Sequence, residues 1–143
     1  MNKRKIVSSI LQSAKRFFFL LIFFFIAHLS YSQTLTFCER VDSSNGTPLS
    51  PSSSFSIKAG GGFIMALVSM PKGINTSSVT YDIFRNNEDN SETFESTIKQ
   101  NVQPEYTWFS KQITFHKKGK YNIYVYDGKS QLLCVGRVTI KIE

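Results

Sequence analysis

From Gln33 onward, apolar and polar residues alternate with a period of two. No segment of ten or more residues keeps its apolar positions at helical spacing, so the pattern predicts an all-β domain. Leu35, Phe37 and Val41 mark a first strand, and the Ser, Pro and Gly stretch SSNGTPLSPSSS at 43–54 reads as a loop. Phe55 and Ile57 open a short second strand, and AGGG at 59–62 follows as a bulge or tight turn. FIMALVSM at 63–70 is a continuous apolar run of strand length, as expected of a central strand covered on both sides. Val79, Tyr81 and Ile83 alternate with Thr80 and Asp82 in a half-buried strand, and NNEDNSE at 86–92 is a polar loop. Phe94 and Ile98 mark one further strand, and Phe109, Ile113 and Phe115 another.

The chain closes on a hairpin, KGKYNIYVYDGKSQLLCVGRVTIKI at 118–142. A turn at Asp127 to Ser130 would set Ile123 opposite Cys134, Tyr124 opposite Leu133 and Tyr121 opposite Gly136. One face then collects Tyr121, Ile123, Val125, Leu132, Cys134, Val138, Ile140 and Ile142 and forms core. The other face keeps Tyr124, Tyr126, Leu133 and Val135, an apolar surplus that a strand pair with one side in water does not need. In PEYTWFSK at 104–111, Tyr106 and Trp108 share parity with Ser110, Gln112 and Thr114. This leaves the indole open to two placements, on the surface or buried in a sandwich.

Seven or eight short strands in about 110 residues predict a single two-sheet β-sandwich. FHKKGKYNIYVYDG followed by VTIKI resembles the end of bacterial immunoglobulin-like and PKD-like modules, in which G-x-Y starts the penultimate strand and a V-x-I strand closes the domain. Gly119, Tyr121, Val125, Asp127, Val138 and Ile140 carry that resemblance over about 30 residues, although the W-D-F-G-D-G hallmark of PKD modules is absent. The chain as a whole also resembles small secreted proteins of Gram-negative bacteria. The first likeness implies an immunoglobulin-like fold, and neither implies an active site.

Residues 1–32 change how the charge is read. Lys3, Arg4, Lys5, Lys15 and Arg16 come without an acid, and the apolar run from Phe17 to Leu29 ends at the polar Ser30, Tyr31 and Ser32. That is the layout of a secretory signal, and the run is short of the about 20 residues that a spanning helix needs. Cleavage is expected between Ser32 and Gln33, giving a secreted or periplasmic domain, 33–143, without stable membrane insertion. Phe37 before Cys38 argues against a lipid anchor. Removing the signal takes five of the 17 Lys and Arg and none of the 10 acids, so the net charge falls from +7 to +2. A basic surface for nucleic acid is thereby excluded from the reading. In an oxidising compartment Cys38 and Cys134 could close a long loop. Parity, however, puts Cys134 among inward residues and Cys38 on the other side from Leu35 and Phe37, so two unpaired thiols are the alternative.

Little in the mature chain points to catalysis. Its one histidine, His116, stands at a strand end beside two lysines with no partner nucleophile, and with Cys38 and Cys134 it makes no recognised metal spacing. Asn87, Asp89 and Ser91 alternate like calcium ligands, but Glu92 stands where the loop needs Gly and Ile98 where it needs Glu. No metal and no cofactor are expected. The sequence is read as a non-catalytic secreted sandwich that contacts a protein or glycan of the cell envelope. Its contact surface would be exposed and aromatic, with Tyr106, Trp108, Tyr124, Tyr126, Leu133 and Val135 as candidates. The alternative is a protease inhibitor resembling the chagasin type. Asn45 to Pro48, Gly60 to Gly62 and Pro104 to Trp108 occur in a similar order to its three loops, without its N-P-T-T-G and R-P-W motifs.

Overall fold

A computed structural model describes residues 33–143; the expected signal and its cleavage site lie outside them or at their edge. Nine strands and no helix are found among the described residues: β1 Thr34–Val41, β2 Pro48–Pro51, β3 Ser54–Ile57, β4 Gly62–Ser69, β5 Ser78–Asn86, β6 Glu92–Asn101, β7 Trp108–Phe115, β8 Gly119–Asp127 and β9 Leu132–Ile142. They form two sheets, one ordered β2-β1-β4-β7 and one ordered β3-β9-β8-β5-β6. All pairs are antiparallel except β3 with β9. The expected two-sheet sandwich is therefore present, with one more strand than alternation revealed. The extra strand is β2, inside the stretch read as loop. It is an edge strand beginning and ending in proline, where a missing backbone donor is tolerated.

The core lies between the sheets. Phe37, Ile64, Ala66, Val68, Phe109, Ile113 and Phe115 face inward from the four-stranded sheet. Val79, Tyr81, Ile83, Tyr121, Ile123, Val125, Cys134, Val138 and Ile140 meet them from the five-stranded sheet. Gln100 ties the β6 and β7 edges together: it accepts from the Tyr81 hydroxyl at 2.7 Å and donates to the Ser110 carbonyl at 3.0 Å. The Tyr121 hydroxyl donates to the Lys117 carbonyl four residues upstream at 2.8 Å, the arrangement of a tyrosine corner.

The closing hairpin departs from the expected register by two residues. Val125, not Ile123, lies opposite Cys134, Tyr124 faces Val135, and Tyr121 faces Val138. Half of the shift comes from the turn, which closes between Asp127 and Gln131, one residue later than expected, with Ser130 in the left-handed region. The Asp127 carboxylate accepts from the Lys129 and Gln131 amides and stabilises that longer turn. The other half is a bulge at which Leu132 and Leu133 share the space opposite Tyr126. A two-residue shift preserves parity along the strand bodies, so the inward set is as expected except near the tip and at the last residue of β9, Ile142, expected in the core but 38% exposed where the strand runs out. Leu132, expected in the core, is 52% exposed, whereas Leu133, expected outside, packs half-buried against the core. Gly136 does leave room for bulky groups, but for Leu35 and Phe37 of the facing sheet and not for Tyr121. A Cβ there would come within 2.7 Å of both.

Candidate binding surface

The outer faces of the two sheets carry similar surpluses of apolar residues and are treated differently by the chain. On the four-stranded sheet, Cys38, Leu67 and Trp108 alternate outward, yet Cys38 is fully buried and Leu67 is 2% exposed. The β1–β2 hairpin covers only part of this face: Phe63, outward on the same strand as Leu67 and expected to be covered, is 55% exposed. The hairpin's Gly46, at φ +73°, lies so close under the Trp108 indole that a Cβ would approach ring carbon Cδ2 to 2.4 Å. Asp42 holds the hairpin tip, its carboxylate accepting from the Ser44 amide and hydroxyl, contacts that lower its pKa below the ordinary value. Trp108 is thus half-buried under its own chain. It lies on the sheet opposite Tyr124 and Tyr126 and cannot extend their surface. Tyr106 is exposed in the loop before it.

On the five-stranded sheet an aromatic row remains open. Phe94 of β6 packs edge-on against Phe84 of β5 at 5.5 Å, and Phe84 packs edge-on against Tyr124 of β8 at 5.5 Å. Val135 sits directly across from Tyr124, and Leu132 across from Tyr126. Phe94 is 55% and Val135 43% exposed, while Phe84, Tyr124 and Tyr126 are partly buried. The structure therefore brings Tyr124, Tyr126 and Val135 together, adds Phe84, Phe94 and Leu132, and removes Leu133. Phe94 escaped the sequence reading because Glu95 is an unpaired bulge residue: Ile98 stays inward while Phe94 turns out.

Glu92, the first residue of β6, buttresses the row. Its carboxylate accepts from the Tyr124 hydroxyl at 3.0 Å and from the Asn122 side-chain amide. The Tyr124 phenol is held above its ordinary pKa, chiefly by desolvation and then by that carboxylate. Asn122 itself is 5% exposed, the buried polar residue of an outward-facing position. Nothing in the sequence distinguishes it from a solvated strand residue, because its cover comes from other strands.

The remaining candidates are dispersed. Cys38 and Cys134 are both free: one points out of the four-stranded sheet and the other into the core from the five-stranded sheet, so the bridge left open by the sequence is not formed. His116 is exposed beside Gly61. Asp89 spends one carboxylate oxygen on the Ser91 amide and hydroxyl, and Asn87 is bonded to Ser91 and Thr93. Among the described residues no group of three His, Cys, Asp or Glu side chains could hold a metal. The three loops compared with the chagasin type do not gather at one end. Gly60 to Gly62 adjoin Phe115 and His116 at one end of β7, and Pro104 to Trp108 lie at the other.

Fold and surface together define a two-sheet β-sandwich with one partly self-covered and one open outer face. No protein-family model matches the chain, and no curated protein does. Among solved structures there is a distant, partial likeness to an immunoglobulin-like protein from Pseudomonas aeruginosa, 14% identical over 76% of this chain and 92% of that one, with a TM-score of 0.46. The PmoD soluble domain from a Methylocystis species is similar to the same degree, 11% identical over 80% and 94% of the two chains at a TM-score of 0.47. A superoxide reductase (neelaredoxin) from Ignicoccus hospitalis is 12% identical over 76% and 83%, at 0.38.

Proposed function

We propose that this chain is an exported, non-catalytic binding module of immunoglobulin-like type that contacts a protein or glycan of the cell envelope through the outer face of its five-stranded sheet. The observation that supports this is the uncovered row from Phe94 through Phe84 and Tyr124 to Val135. Monomeric proteins seldom leave a contiguous apolar patch of more than a few hundred Å² to water, and aromatic residues are enriched at the centres of interfaces. The tyrosine corner of Tyr121 agrees with the immunoglobulin-like part of the reading.

The test is retention of envelope material by the immobilised protein, compared with a Phe94→Ser, Leu132→Ser variant. Both side chains are more than half exposed, so the variant should stay folded and lose retention. Unchanged retention would remove the face from consideration. Export is tested by the mass of the protein recovered from its host: a chain starting at Gln33 is expected, and one keeping residues 1–32 would overturn it.

A further inference from the structure

We propose that the polar cleft beside the aromatic row is a subsite for a neutral saccharide, an inference that rests on the binding role just given and names the ligand class. The cleft, of about 330 Å³, lies toward the Gly119 end of the five-stranded sheet and is lined by Lys120, Asn122, Arg137, Thr139, Ser53 and Asn90. Asn122 is 95% buried, and its Oδ1 has no hydrogen-bond partner within the protein, alone among buried side-chain polar atoms of the described residues. A swap of amide oxygen and nitrogen does not cure this. The Nδ2 donates to Asn86 Oδ1 at 3.0 Å and to a Glu92 oxygen, and the reversed amide would set its carbonyl against that carboxylate. Oδ1 is therefore an acceptor in need of a donor, on a side chain that lines the cleft.

The neighbours select the donor. Lys120 and Arg137 line the same cleft and make no ion pair among the described residues, so a cationic ligand is repelled. A fully deprotonated anion such as sulfate would be drawn by those two cations but has no hydrogen to give Oδ1. A hydroxyl meets both demands, since it donates to Oδ1 and accepts from a guanidinium or ammonium. Asn122 and Arg137 are direct cross-strand partners, which suits adjacent hydroxyls on one ring. One step along the same face, about 7 Å on by strand geometry, the next outward pair is Tyr124 and Val135. A pyranose with its hydroxyls in the cleft would lay its C–H face on that pair.

The probes are dextran, mannan and chitin oligosaccharides as neutral glycans, with sulfate as the anionic comparison, each titrated into the purified protein. At least one glycan should bind with little dependence on salt and move the Asn122 side-chain amide and Tyr124 resonances. Arg137→Ala and Lys120→Ala, both at exposed positions, should each weaken it about tenfold. Absence of any glycan binding, binding undiminished in those two variants, or binding of sulfate alone overturns the saccharide. If Phe94→Ser, Leu132→Ser abolishes envelope retention while Arg137→Ala leaves it intact, the partner is a protein. The binding face would then stand without its saccharide subsite.

Discussion

The two outer faces of this sandwich pose the same problem and solve it differently. Leu67 and Phe94 are both large apolar residues that alternate away from the central core; one is 2% exposed and the other 55%. The difference is not in their own strands but in what the chain supplies above them. Residues 42–47 carry the β1–β2 hairpin onto Trp108 on the face where Leu67 is buried, and no segment of the described chain does the same for Phe94, Phe84 and Tyr124. An outward apolar residue is thus evidence of a second contact. Only the fold decides whether that contact is internal.

The largest expected effect comes from emptying the covered face. Leu67→Ala should cost about 2 to 5 kcal/mol, measured by denaturant midpoint, because the β1–β2 hairpin cannot collapse fully into the space. A loss near zero would mean that the hairpin covers nothing. Next, Gly46→Ala attacks the cover directly, since it combines a left-handed backbone with overlap onto the indole. A loss of about 1 to 3 kcal/mol is expected. Trp108 is the single tryptophan, so its emission reports the lid alone and should shift to the red.

The strands were legible from sequence because each buries one side, which forces alternation at Val79, Tyr81 and Ile83 or at Tyr121, Ile123 and Val125. Single-residue events were not legible. The bulges at Glu95 and Leu133 each turn a neighbour to the other face at no cost in composition, and so Phe94, Leu132 and Leu133 were misplaced or missed. The hairpin's return over Trp108 was also invisible, since it sits in a Ser and Pro stretch whose one strand bears no alternating pattern. Asn122 failed for a similar reason: an outward polar residue looks solvated until Glu92 and Asn86 arrive from other strands.

The two thiols report separately on the lid and the core. Both should resist alkylation in the folded protein, and Gly46→Ala should open Cys38 while leaving Cys134 protected. Equal labelling would mean that the lid and the core open together. Burial pushes the Cys134 thiol up to about 12 from 9.0, and Tyr81 is raised by burial first and by Cys134 second. Their folded values exceed the unfolded ones. Stability from these groups is therefore complete below pH 9 and falls as the pH rises from about 9 toward 12. Cys134→Ala should flatten the Cys134 part of that alkaline decline, and an unchanged slope would remove the thiol as its cause.

The smallest expected effect is the one that defines the open face. Phe94→Ser removes a ring that is more than half exposed and touches Phe84 by an edge, so little apolar area returns to water. The change in unfolding free energy should stay within about 1 kcal/mol, well below that of Leu67→Ala. If instead it approached the Leu67 value, the aromatic row would be a second internal core, and its tyrosines would be held by packing and not kept for a partner. A small loss of stability joined to a full loss of envelope retention is the combination that a binding face predicts. It cannot arise from Leu67 or Cys38, which are already buried on the other face.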